Sequence, residues 1–121
     1  MCVVGLIYHI ATRADWERAL SGGEYATSTV GRTLAEEGFI HASSASQVTG
    51  VANRYYRDVQ GDLLLLAIDP QRVRAEVRWD DVPGSPLPFP HIYGPLNVDA
   101  VVSARPIAPG PDGTYQISPA G

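Results

Sequence analysis

The chain contains no lysine; all nine of its basic residues are arginines. That absence excludes a Schiff-base lysine and any phosphate loop built on a lysine. Codon bias in a GC-rich genome is the plain explanation for arginine alone. Guanidinium forks also suit phosphates and carboxylates, but no arginine here sits in a phosphate-loop pattern. Cysteine is nearly absent too: only Cys2 is present, so no intrachain disulfide can form, and its place at the N-terminus reads as incidental. No apolar run approaches the ~20 residues that cross a bilayer. Residues 1–10 are too short for a signal peptide and lack a basic leader, so the expectation is a cytoplasmic, bacterial protein with no membrane partner. A net charge of −4 argues against broad nucleic-acid binding. Neither a Gly-x-Ser-x-Gly elbow nor a Gly-x-Gly-x-x-Gly cradle occurs, which disfavours esterase-type and classical dinucleotide folds.

What remains is ordinary globular material. At 121 residues, 45% hydrophobic and 18% charged, the chain suits a single domain over 1–121, with a core from about 3 to 107. Val3 to Ile10 reads as a buried first strand. Thr12 to Asp15 has the form of a capping box, with Trp16, Ala19 and Leu20 as the apolar face of a short helix ended by Gly22-Gly23. Glu24 to Glu37 reads as a loop with a helical turn. Gly38 to Ser43 predicts a second strand, with Phe39, His41 and Ser43 on one face. Ser44 to Gln47 is a second capping box, leading a helix that carries Val48, Ala52, Tyr55, Tyr56 and Val59.

Leu63 to Ile68 is continuously apolar and predicts a central strand buried on both faces. Val73 to Trp79 alternates and reads as a strand. Pro83 to Pro90 holds four prolines in eight positions. It is expected to form a stiff loop, acting either as a lid or as a fixed strut. A strand from Ala100 to Ile107 and a hairpin strand from Thr114 to Ser118, led by Asp112-Gly113, complete the pattern. About six strands and two or three helices give an α+β domain with a mixed, mostly antiparallel sheet.

The candidate chemistry lies in three histidines: His9 after Tyr8, His41 within Phe39 to Ser43, and His91 before Tyr93. Taken singly, each is most simply a core-edge ring satisfied by backbone. Taken together, three imidazoles at strand ends point to convergence on one pocket. Zinc is disfavoured, because no pair has i, i+2 or i, i+4 spacing and the flanking residues are apolar. Ser43 or Ser44 beside a histidine leaves a small hydrolase open, although Ser44 reads better as a helix cap. Tyr55, Tyr56, Trp16 and Trp79 are assigned to packing. The adjacent pairs Glu36-Glu37 and Asp80-Asp81 are read as solvated surface charge.

The segments Tyr8-His9-Ile10, Gly38 to Ser43, Leu63 to Pro70 and Pro90 to Leu96 resemble, in that order, the motifs of the bacterial and plant "domain of unknown function 952" (DUF952) family. The resemblance runs from about Ile7 to Ile107. That family is similar, more distantly, to the ADP-ribosyltransferase fold. The resemblance implies an NAD-binding transferase or a domain acting on another nucleotide-like ligand. In it, His9, Tyr8, Ser43 and Tyr93 bind the cofactor, and His41 and His91 serve the chemistry. His9 matches the histidine that holds ribose and nicotinamide, and Phe39 to Ser43 matches the strand lining the nicotinamide pocket. The third motif, His91-Ile92-Tyr93, lacks the glutamate many such enzymes use. The alternatives are therefore a non-catalytic nucleotide or metabolite module, a hydrolase built on His41 and Ser43, and a purely structural domain whose histidines scatter.

Overall fold

In the computed structural model, which describes residues 5–29, 32–59 and 61–117, the fold is organised around one strand. The chain runs through β1 (Ile7–Thr12), α1 (Arg13–Gly22), β2 (Glu24–Tyr25), β3 (Thr27–Thr29), β4 (Arg32–Thr33) and α2 (Leu34–Glu37). It continues through β5 (Ile40–His41), α3 (Val48–Tyr55), β6 (Leu63–Ile68), β7 (Glu76–Asp80) and β8 (Phe89–Tyr93). Then come β9 (Leu96–Asn97), a 3-10 turn at Val98–Ala100, and β10 (Val101–Ile107). This is a small α+β domain with three α-helices among the described residues. The expected mixed sheet is instead several small sheets, and every strand pairing within them is antiparallel.

β6 lies between β1 and β10, and all six of its residues are buried, as its unbroken apolar run predicts. The period-2 geometry of a strand divides its side chains between two cores. Leu64, Leu66 and Ile68 join Ile7 and Ala11 of β1 on one face. There they pack against Trp16 and Ala19 of α1 and against Ile40 and Ile92 of a second sheet, ordered β5-β8-β7. Leu63, Leu65 and Ala67 join Tyr8 and Ile10 on the other face, under Val48 and Ala52 of α3 and Tyr115. Each buried leucine or isoleucine here contributes ~1.5–3 kcal/mol on removal from water.

Several expectations are corrected. The first strand begins at Ile7; residues 5 and 6 precede it, and residues 3 and 4 lie outside the described residues. Thr12 caps α1 by accepting from the Asp15 backbone N–H, but Leu20 points to solvent rather than to the core. The segment 24–37 is more regular than its sequence suggests, because three two- or three-residue strands precede α2. That helix carries a full capping box between Thr33 and Glu36. Ser44 does not cap α3 with its side chain. Gln47 is the cap residue, and its side-chain oxygen accepts from the Ser44 N–H. Tyr55 is exposed, whereas Tyr56 is buried.

The strand expected at 73–79 starts three residues later and ends at Asp80. The proline-rich loop stops at Pro88, since Phe89 and Pro90 belong to β8. Pro90 is tolerated there because its carbonyl still accepts from the Ala42 N–H at 3.1 Å. Residues 114–117 are not a strand, and Ser118 lies outside the described residues. Asn53 of α3 takes the place of a strand partner for Tyr115. Its amide oxygen accepts from the Tyr115 N–H at 2.7 Å, and its NH2 donates to the Tyr115 carbonyl at 3.0 Å.

Candidate functional site: a histidine pair backed by carboxylates

Antiparallel pairing sets His41 of β5 directly opposite His91 of β8, which faces Arg78 of β7 in turn. Directly paired residues project to the same side of a sheet. Ile40, Ile92 and Val77 therefore turn inward to the core, leaving His41, His91, Tyr93, Arg78 and Asp80 on the outer face. The two imidazole centroids are 5.5 Å apart, nearly perpendicular. Phe39 lies flat against His91 at 4.2 Å and meets His41 edge-on at 4.8 Å. Tyr93 closes the far side of this aromatic group, with the Arg78 guanidinium 4.7 Å above its ring.

Each imidazole is held by a carboxylate. His91 Nδ1–H donates to Asp80 Oδ2 at 2.8 Å, and the Tyr93 hydroxyl donates to the same oxygen. These two donors, Tyr93 first, hold the Asp80 carboxyl below its ordinary range, while Asp80 in turn pushes the Tyr93 phenol up. With Nδ1 protonated, the lone pair of a neutral His91 ring is on Nε2. That nitrogen has no partner among the described residues. Because no buried side-chain nitrogen or oxygen is left unbonded there, it must reach the surface although His91 is only 5% exposed. His41 is arranged in the opposite sense. Its Nε2–H donates to Glu37 at 3.4 Å, leaving Nδ1 unpartnered among the described residues. Burial lowers the His41 pKa against the opposing pull of Glu37, and the His91 ring lowers it further. Glu37 also binds Arg32 at 2.6 Å, and Arg78 makes a two-pronged bond to Glu76 at 2.8 and 3.0 Å.

His9 belongs to the same corner of the fold but lies on the inner side of β5. Its Nδ1–H donates to the His41 carbonyl and its Nε2 accepts from the Tyr25 hydroxyl at 2.8 Å. Desolvation pushes its pKa down to about 4, so the ring is neutral at pH 7, and burial pushes the Tyr25 phenol up. β5 is an edge strand whose outward backbone groups need partners. Ser28 donates to the carbonyl of Phe39, His9 donates to that of His41, and Tyr8 exchanges two backbone bonds of 2.7 Å with Ser43. His9 and the Tyr8 backbone thus cap β5. The Tyr8 ring packs in the α3 core, and Ser43 is buried at the junction between sheets.

The three histidines converge, then, but only His41 and His91 share the outer face of the β5-β8-β7 sheet. Sequence reading missed Asp80 and Glu37, both set aside as surface charge. Glu37 stands four residues before His41, which is a usable signal. Asp80 reaches His91 only through the diagonal of the β7–β8 pairing, which no sequence spacing announces. Among the described residues, no group of three or more histidine, cysteine or carboxylate side chains is placed to hold a metal. One surface concavity of about 580 Å³ lies elsewhere, between the end of α3 and Gly113. Among the described residues, no helix is long and apolar enough to cross a membrane.

Among proteins of known structure, the chain is similar to protein CC0527 of Caulobacter crescentus. Its crystal structure shares 32% identity, covers 93% of this chain and 94% of that one, and superposes with a TM-score of 0.80. The solution structure of CC0527 shares 32% identity over 92% and 91% of the two chains, with a TM-score of 0.74. No curated protein matches. The sequence profile of the protein family of unknown function DUF952 matches residues 10–104, a span that takes in His41, Asp80, His91 and Tyr93, and the chain belongs to that family.

Proposed function

We propose that the outer face bearing Phe39, His41, His91 and Tyr93 binds the nicotinamide–ribose end of an NAD-type nucleotide, and that the chain is a transferase of ADP-ribosyltransferase type. The observation carrying this reading is Asp80. The third motif has no carboxylate of its own, yet Asp80 supplies a fixed negative charge one hydrogen bond behind both His91 and Tyr93. The aromatic rings suit a planar cationic ring, and the carboxylates suit its charge. The guanidiniums of Arg32 and Arg78 are already paired with Glu37 and Glu76, so a diphosphate would extend toward solvent.

Bound there, NAD supplies a ribose carbon whose nicotinamide leaves as a neutral molecule with the bonding electrons. His91 Nε2 takes the proton of the attacking hydroxyl, and Asp80 stabilises the resulting imidazolium. His41 flanks the reacting centre as a hydrogen-bonding group. His9, Ser43 and Tyr8 hold β5 in place from behind.

The test is calorimetric titration with NAD and ADP-ribose, together with mass-spectrometric detection of nicotinamide. Asp80→Asn and His91→Gln should each reduce nicotinamide release by roughly 10²-fold or more, the usual worth of a positioned acid–base group. Absence of binding at millimolar nucleotide refutes the proposal. A second reading, a binding module without turnover, is favoured by Phe39 lying flat over His91 at 4.2 Å. Binding without nicotinamide release in the wild type would establish it.

A further inference from the structure

We infer that His41 and His91 together form an open two-imidazole site for a divalent transition-metal ion of zinc type. This does not rest on the nucleotide reading.

The first ground is the disposition of the ring nitrogens. Metal-binding histidines characteristically donate the N–H of the other nitrogen to a carboxylate, which fixes the tautomer and raises ligand basicity. Both rings have this arrangement: His91 through Nδ1–H to Asp80, and His41 through Nε2–H to Glu37. Each therefore offers its remaining nitrogen, Nε2 of His91 and Nδ1 of His41, as a lone pair with no partner among the described residues.

The second is spacing. With metal–nitrogen bonds of about 2.0–2.1 Å and a tetrahedral angle, two imidazole centroids bound to one ion are about 5 Å apart. The observed centroid separation is 5.5 Å. His91, nearly buried and stacked on Phe39, is the fixed ligand. His41, whose side chain is 44% exposed, is the adjustable one.

The third is charge. The network holds three carboxylates (Glu37, Glu76, Asp80) and two guanidiniums (Arg32, Arg78), a surplus of one negative charge, and so favours a cation over an anion. Two protein ligands leave the other coordination positions to water or an exogenous ligand. Occupancy by metal would take up the His91 lone pair that proton transfer requires.

The experiment is zinc chloride titration of the full chain carrying Cys2→Ser, which removes the thiolate as a competing ligand, followed by calorimetry without nucleotide. One ion should bind per chain in the micromolar range. His41→Gln and His91→Gln should each weaken binding at least tenfold, and Asp80→Asn by 10–100-fold, as carboxylates behind metal-bound histidines usually do. Imidazole nitrogen NMR gives a readout on the Cys2→Ser chain that does not depend on any histidine variant folding. His91 Nε2 and His41 Nδ1 should shift on zinc addition, while both His9 nitrogens stay fixed. No binding at 1:1 stoichiometry, binding unchanged in either histidine variant, or shifts confined to His41 would each overturn the inference. Failure of the nucleotide titrations leaves it untouched.

Discussion

Replacing His9 by glutamine removes one titrating group and leaves an uncharged side chain that still carries a donor and an acceptor. The amide NH2 can donate to the His41 carbonyl and the amide oxygen can accept from Tyr25. In the folded wild type His9 gives up its proton at about 4, against an ordinary value of 6.5, because the ring is desolvated. Between those two values the unfolded chain binds a proton that the folded chain refuses, so stability falls as pH falls. The contribution is complete above pH 6.5, declines at about 1.4 kcal/mol per pH unit, and amounts to ~3 kcal/mol by pH 4, below which it stops changing. By pH 5 about 2 kcal/mol is lost, which for a domain of this size lowers the melting temperature by roughly 5–10 °C. The assay is urea unfolding between pH 7 and 5, above the range where the lowered carboxylates of Asp80 and Glu76 begin to protonate. His41 is displaced in the same direction, so His9→Gln should flatten the slope without abolishing it. If wild type and variant lose stability in parallel over that interval, His9 is not the buried neutral ring described above and the argument fails.

Two further substitutions test the frame around the site. A Cβ at Gly94 would be 2.8 Å from the Cβ of Ala75, so Gly94→Ala should cost ~1–3 kcal/mol in chemical denaturation, and a compensating Ala75→Gly should restore part of it. Ser28 is fully buried and donates to the Phe39 carbonyl at the edge of β5. Ser28→Ala should destabilise by ~1–3 kcal/mol and alter the near-ultraviolet circular dichroism of the aromatic group. An unchanged spectrum would mean that Phe39 is held by its ring contacts alone.

Much of the architecture was legible where the physical signal was local. β6 declared itself by six apolar residues in a row, and α1 by Thr12 three residues before Asp15. The signal failed where pairing partners are distant. β2, β3 and β4 are two or three residues long and owe their existence to neighbours such as β9, not to propensity. Residues 114–117 lack strand pairing because Asn53, 62 positions earlier, satisfies Tyr115 with a side chain. Prolines misled in one place, because a chain bearing four of them still enters the sheet at Phe89.

The site was half legible for the same reason. Histidines in aromatic strands mark a polar group that must find partners, and all three did gather about β5. What a linear reading assigned wrongly was which partner each would have. Glu37 and Asp80 looked like solvent charge because each sits beside another acid, and a linear reading does not say which of two adjacent acids meets a partner. Asp80 is the last residue of β7, where its side chain shares the outer face with Arg78 and meets His91 and Tyr93 across the diagonal, whereas Asp81 lies beyond the strand. His9, the residue most prominent in the first motif, spends both ring nitrogens on the fold. It fixes the carbonyl of His41 and, through it, the position of the ring opposite His91. The geometry of this face is therefore set by a buried histidine behind it and by two carboxylates that place its two imidazole rings.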